Sequence, residues 1–113
     1  VDIKARSFGF YRFTVPRGAT NVGVSGQFSA TGEREDNVEM YVVADAAFVS
    51  WQYGYAPDAY YSSGRVSQGK IDADLPSGAG AYYLVFNNKF SPRAAKTVQA
   101  SVTLHYQNWW PLR

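Results

Sequence analysis

The sequence predicts an all-β domain, an antiparallel sandwich of about eight strands with jelly-roll-like connections. Apolar and polar residues alternate in several segments, most cleanly over 97–106. A period of two is typical of strands with one buried face. Turn residues separate these segments every ~8–14 residues, which favours a two-sheet sandwich over a parallel sheet. Aromatic residues make up 17% of the chain, and such residues are enriched in strands.

The N-terminal half is predicted to contain three strands, separated by a proline–glycine turn and a polar loop. Their ranges are 7–15, 21–30 and 38–43. Gly26 in the second strand indicates a β-bulge, since glycine inside a strand often marks one. The third strand is almost continuously apolar, so we expect a central strand that is buried on both faces.

The C-terminal half is predicted to add the remaining strands. The range 44–50 is expected to form a turn followed by a short strand, because no segment shows a convincing helical period of 3.6 residues. A loop over 52–59 follows. Two strands cover 60–67 and 69–75, and a third begins at Gly80. A polar corner at 87–91 then leads into the final strand at 97–106.

Length and composition indicate one domain over 1–113, with a core of about 7–106 and tails at 1–6 and 107–113. The net charge of +2 and the scattered basic residues argue against nucleic acid as a partner. No apolar run approaches the ~20 residues of a membrane-spanning helix. Cysteine is absent, which excludes disulfides and thiolate metal sites, and no cofactor is expected.

The corner and final strand resemble the end of a GOLD domain, the β-sandwich of p24-type Golgi trafficking proteins and some Sec14-like lipid-transfer proteins. The resemblance rests on Gly80, Tyr83, Leu84, Phe86, Asn88, Phe90, Ser91 and the strand 97–106. The ranges 11–18 and 36–42 also resemble bacterial pre-peptidase C-terminal sandwiches. The disulfide, coiled coil and membrane anchor of p24 proteins are missing here. The resemblance implies a binding module without a catalytic centre, in the style of a secreted or periplasmic bacterial protein.

The residues that could support catalysis are few. His105 is the only histidine and falls on the polar face of its strand, where we expect it to be exposed rather than part of a triad. Asp72 and Asp74 are two residues apart, roughly 6.5 Å along a strand. That separation lies near those of glycosidase carboxylates, yet a solvent-facing pair beside Lys70 is expected only to aid solubility. A hydrolase is therefore the weakest of three hypotheses.

Two polar segments have structural and functional interpretations. The loop 33–37 carries three carboxylates and Asn37, and calcium prefers such oxygen ligands. Arg34 can neutralise the loop internally, so a solvated loop is favoured and calcium binding is left open. Asn87 and Asn88 are expected to be corner residues, because asparagine satisfies nearby backbone groups and tolerates left-handed conformations.

Aromatic residues are the preferred candidates for a binding site. The residues proposed to bind a ligand are Trp51, Tyr53, Tyr55, Tyr60, Trp109 and Trp110. Rigid amphipathic rings are favoured at protein interfaces and also stack on sugars. The sequence therefore predicts a non-catalytic module for protein–protein contacts, with a carbohydrate-binding module as the alternative. A weak homodimer is a further option.

Overall fold

The computed structural model describes residues 1–32 and 35–108 and confirms the all-β sandwich. Trp109 and Trp110 lie outside the described residues, as do Glu33 and Arg34 of the acidic loop. Within these ranges the chain forms eight strands and one short helix: β1 Asp2–Ile3, β2 Phe8–Val15, β3 Ala19–Gly32, β4 Val38–Ala44, α1 Asp45–Gln52, β5 Ala59–Val66, β6 Gln68–Leu75, β7 Gly80–Asn87 and β8 Lys96–Asn108.

The strands form two four-stranded antiparallel sheets. Sheet A has the order β1-β8-β3-β6 and sheet B the order β2-β7-β4-β5. Apart from the step from β4 to β5, every connection passes from one sheet to the other. This order confirms the jelly-roll-like connections. β1 occupies part of the segment predicted to be an N-terminal tail, and β8 extends two residues beyond the predicted end of the core.

Turn chemistry sets the connection from β2 to β3. The amide of Ala19 donates to the carbonyl of Pro16 at 3.3 Å, and Gly18 has a φ of 84°. Proline pre-sets the φ of the turn, whereas the following left-handed position requires glycine. The predicted Pro16–Ala19 turn is therefore confirmed.

The main core lies between the two sheets, and a second apolar cluster lies on the outer face of sheet B. β4 contributes to both, because alternate side chains of a strand point to opposite faces. Met40 and Val42 belong to the inner core, while Tyr41 and Val43 belong to the outer cluster. The prediction that this strand is buried on both faces is confirmed.

The prediction of a turn and a short strand at 44–50 is wrong, because Asp45–Gln52 is the helix α1. Its two buried residues, Phe48 and Trp51, are three apart and therefore share a helix face. Phe48 stacks on Tyr83 with ring centroids 4.0 Å apart. Packing against sheet B thus stabilises a helix of only two turns, which is too short to show a clear period in the sequence.

Candidate functional site

The most unusual feature of the sandwich is an incomplete edge of sheet A. β1 pairs with β8 only at Lys96 and Thr97, and Val1 exchanges two further hydrogen bonds with Val98 at 2.6 and 2.8 Å. On that side of β8, no strand of the described chain pairs with residues 99–108. We call this stretch the free edge.

The direction of the backbone groups along the free edge follows from its neighbours. Both backbone groups of Val98 point toward Val1. On the far side of sheet A, the amide of Ala30 donates to Ser67, away from β8. Hydrogen-bonding direction alternates along an antiparallel strand. The even-numbered residues from Ala100 to Asn108 therefore direct their N–H and C=O groups away from β3, to the unpaired side.

The other sheet edges carry features that discourage pairing with another chain. β6 has Lys70, Asp72 and Asp74, and β2 has Arg12 at its centre. β5 has Arg65 and two register shifts against β4. Charges and irregularities of this kind block edge-to-edge association. The free edge has no charged residue and no proline, so it is the unprotected long edge of the described chain.

An apolar slot opens between the free edge and the neighbouring edge of sheet B, and we call it the seam. Its lining residues are Tyr11, Phe13, Val24, Leu84, Val102 and Leu104. Its volume is about 120 Å³, close to the ~150 Å³ of a cavity that takes up benzene. Tyr11 is 52% exposed although it faces inward. The seam can therefore accept one or two apolar side chains.

The four proposed aromatic residues within the described ranges do not form one surface. Trp51 is in α1 rather than in a loop and is 8% exposed. Its ring meets Phe8 edge-on at 4.9 Å, and the ammonium of Lys89 lies 4.4 Å from its centroid. A ligand that stacks on an aromatic ring needs at least one ring face open to solvent, so this burial is unfavourable for ligand stacking.

The other proposed aromatic residues within the described ranges are more accessible. Tyr53 is 80% and Tyr55 is 70% exposed, in the loop that follows α1. Tyr60 is 42% exposed, and its ring meets that of Tyr82 in the inner core edge-on, with centroids 5.8 Å apart. Tyr60 and Trp51 thus pack against different clusters. Among the proposed residues that the structure describes, only Tyr53 and Tyr55 share one exposed loop.

The polar corner encloses a buried lysine that the sequence analysis missed. Lys96 is 1% and Asn88 is 0% exposed. The Lys96 ammonium donates to Asn88 Oδ1 at 2.8 Å and to the carbonyl of Asn37 at 2.9 Å. Burial lowers the pKa of Lys96, while the nearby carboxylates of Glu35 and Asp36 oppose that shift. The ammonium of Lys96 thus supplies a positive charge beside the acidic loop. This is the loop for which the sequence left calcium binding open.

Asn88 holds this corner together through three side-chain hydrogen bonds. Besides accepting from Lys96, its amide donates to the carbonyls of Ala94 at 2.9 Å and Lys4 at 3.2 Å. Asn87 donates to Glu39 and accepts from the amide of Lys89. Both asparagines are corner residues, as expected. Neither has a positive φ, so the hydrogen bonds, and not a left-handed conformation, explain why asparagine is used.

The residues weighed for catalysis lie on an open surface. Asp72, Asp74 and His105 are exposed, and the imidazole covers Gly23 on the outer face of sheet A. In the described part of the chain, no three histidine or acidic residues group so as to hold a metal ion. No helix there is long and apolar enough to cross a membrane.

The free edge could have been suspected from one sequence signal. No lysine, arginine, aspartate or glutamate occurs between Lys96 and Arg113. Strand alternation in an uncharged stretch does not reveal which strand lies at an edge, because that depends on the order of strands in the sheet.

The comparisons with known proteins do not assign the chain to a family. No protein-family model matches the chain, and a search of curated proteins finds no significant match. The resemblance to GOLD and pre-peptidase C-terminal domains therefore stays a prediction, and the free edge and the seam are the features that bear on function.

Proposed function

We propose that this domain is a non-catalytic protein-interaction module that binds an extended polypeptide strand along the free edge of β8. The observation that carries the proposal is the row of backbone groups that the described chain leaves unpaired beside an apolar slot. In strand addition, main-chain hydrogen bonds supply affinity, and pockets for alternate side chains supply specificity. The free edge offers the main-chain hydrogen-bonding groups, and the seam offers a pocket for side chains.

The chemistry of the partner strand follows from the alternation of β8. A strand paired with the free edge would place every second side chain over the seam, next to Val102 and Leu104. These positions favour leucine, valine or aromatic residues, since they would cover half-buried apolar groups. The intervening side chains would continue the outer face of sheet A beside Ser101, Thr103 and His105, which favours small polar residues.

Binding of a synthetic strand tests the proposal. The probe is a fluorescein-labelled peptide with the sequence of residues 99–107, capped at both ends, at a protein concentration low enough to suppress self-association. We expect saturable binding by fluorescence anisotropy. Val102→Lys should weaken it by at least roughly tenfold, because an ammonium group would enter the apolar seam. Gln68→Lys, on the opposite edge of sheet A, should leave binding unchanged.

Two modified peptides keep the test independent of protein folding. Methylation of the backbone nitrogen that corresponds to Leu104 removes a hydrogen bond to the free edge and should abolish binding. Methylation at the position of Thr103 changes an amide that points to solvent and should be tolerated. Absence of peptide binding, or equal binding of the two methylated peptides, would contradict strand addition.

A carbohydrate-binding module is the second candidate, supported by the exposed rings of Tyr53 and Tyr55. Rings of this kind stack on sugar faces. The polar depression on the outer face of sheet A, in contrast, is lined mainly by glutamine, serine and lysine side chains and exposes no tyrosine or tryptophan among its lining residues. If glycans stack on the exposed rings, titration with a panel of soluble glycans should perturb the NMR signals of Tyr53 and Tyr55. An unchanged spectrum across the panel would remove this candidate.

A further inference from the structure

The free edge is suited to one partner in particular, a second copy of itself. We propose that two chains associate through antiparallel pairing of their β8 strands around a two-fold axis at Leu104. This inference rests on the proposed strand-binding function and names its partner. Because each copy would use its free edge once, the assembly closes as a dimer. The charged or irregular edges formed by β6, β2 and β5 would prevent further growth.

The register follows from the length of the free edge and from the position of Val1. A two-fold axis perpendicular to the sheet places each residue opposite a residue whose side chain is on the same face. In β8 the residues of one face are all even-numbered or all odd-numbered, so the numbers of two paired residues add to an even sum. An axis at Leu104 gives a sum of 208 and pairs Ala100 with Asn108. An axis at Thr103 would place Asn108 opposite Val98, whose backbone groups already bind Val1.

Pairing around Leu104 satisfies the unpaired backbone groups. The five even-numbered residues from Ala100 to Asn108 each offer one donor and one acceptor, which gives about ten hydrogen bonds between two strands. In the monomer these backbone groups are hydrogen-bonded to water, and pairing exchanges those bonds for bonds to the other strand. The net gain in free energy per hydrogen bond is therefore modest. The gain in affinity must come also from the side chains over the seam.

The side chains meet in complementary pairs. On the inner face, Leu104 meets Leu104 of the partner subunit, and Val102 meets the partner's Tyr106. Leucine and β-branched–aromatic pairs are favourable between strands. Tyr106 is 40% exposed in one chain and would cover the seam of the other. On the outer face, Thr103 meets the partner's His105. No pair brings two like charges together, because the free edge carries none.

Sedimentation velocity over a range of concentrations tests the association. We expect a reversible monomer–dimer equilibrium. Leu104→Lys should weaken it by at least roughly tenfold, because two ammonium groups would meet at the axis. Gln68→Lys adds the same charge at the opposite edge of the sheet and should have no effect. A wild-type protein that stays monomeric at every concentration overturns the proposal. If that monomer still binds the peptide of residues 99–107, the proposed function stands alone.

Cysteine cross-linking tests the register and does not depend on the folding of a lysine variant. The chain has no native cysteine, and both positions used are exposed. In the proposed register, Thr103 and the partner's His105 form a non-hydrogen-bonded pair with Cα atoms ~4.5 Å apart, within disulfide range. A mixture of Thr103→Cys and His105→Cys should therefore form a disulfide-linked heterodimer under mild oxidation.

The matched control uses the neighbouring register. Ser101→Cys mixed with His105→Cys would cross-link if the axis lay at Thr103, and should react slowly if it lies at Leu104. Thr103→Cys alone should also react slowly, because the two cysteines would then be diagonal neighbours ~7–8 Å apart. Preferential cross-linking of Ser101→Cys with His105→Cys, or no preference among the mixtures, overturns the proposed pairing.

Discussion

Replacing Asn88 with alanine is expected to lower the free energy of unfolding by about 3–5 kcal/mol, because it takes one acceptor from a buried ammonium and the side-chain donor from two backbone carbonyls. Asn88 is fully buried and accepts a hydrogen bond from the Lys96 ammonium at 2.8 Å. Its amide also satisfies the carbonyls of Ala94 and Lys4. The substitution removes all three bonds and leaves the carbonyl of Asn37 as the remaining described acceptor for Lys96. Urea unfolding measures the loss.

The neighbouring asparagine provides the control. Asn87→Ala also removes two side-chain hydrogen bonds. Their one charged partner, the Glu39 carboxylate, is still 21% exposed to water, so we expect a loss of about 1–2 kcal/mol. Combining Asn88→Ala with Lys96→Met should cost less than the sum of the single changes, because the double variant has no lone ammonium. Additive losses, or a larger loss for Asn87→Ala, would show that Lys96 does not depend on Asn88.

Replacing Trp51 with alanine is expected to destabilise the domain by about 3–5 kcal/mol, as for other buried tryptophans. Its ring packs among Phe8, Tyr41 and Phe48 at centroid distances of 4.9, 6.0 and 6.4 Å, and the ammonium of Lys89 lies over it. This side chain holds α1 against sheet B, so its loss should also release the helix. Chemical denaturation gives the energy, and amide exchange in 45–52 shows whether α1 opens.

Tyr53 serves as the matched aromatic control. It is 80% exposed and two residues beyond Trp51, so Tyr53→Ala should change stability by no more than ~0.5 kcal/mol. This contrast distinguishes a core residue from a ligand-binding one. A nearly neutral Trp51→Ala substitution that weakened glycan binding would support the ligand-binding role predicted for Trp51 from the sequence.

Strand alternation made most of the fold predictable. The ranges 7–15 and 69–75 each matched a strand to within about a residue, because apolar residues at a period of two mark their inner faces. The range 38–43 matched equally well because its nearly continuous apolar run is typical of a strand buried on both faces. The helix α1 was missed because two turns offer only Phe48 and Trp51 as evidence. Their burial depends on Phe8 and Tyr83, which are distant in sequence, so tertiary packing decides the local structure.

The candidate site was less predictable, for a topological reason. In the sequence, loop aromatics were the candidates for function, and the final strand was assigned to the core. Alternation correctly assigned Val102 and Leu104 to the inner face, but it gives no information on whether a neighbouring strand covers them. That depends on the N-terminal segment, in which β1 pairs only with Lys96 and Thr97 and Val1 adds hydrogen bonds to Val98. The buried Lys96 was missed for a similar reason, since its acceptors belong to distant segments of the chain.

The most direct test of the free edge is residue-resolved amide hydrogen exchange along β8 as a function of protein concentration. In the dilute monomer, the amides of Ala100, Val102, Leu104 and Tyr106 should exchange fast, while the odd-numbered amides between them stay protected by β3. At higher concentration the even-numbered amides should become protected as well. Uniform protection along 99–106 in the dilute monomer would show that another segment already covers this edge, and would contradict the account.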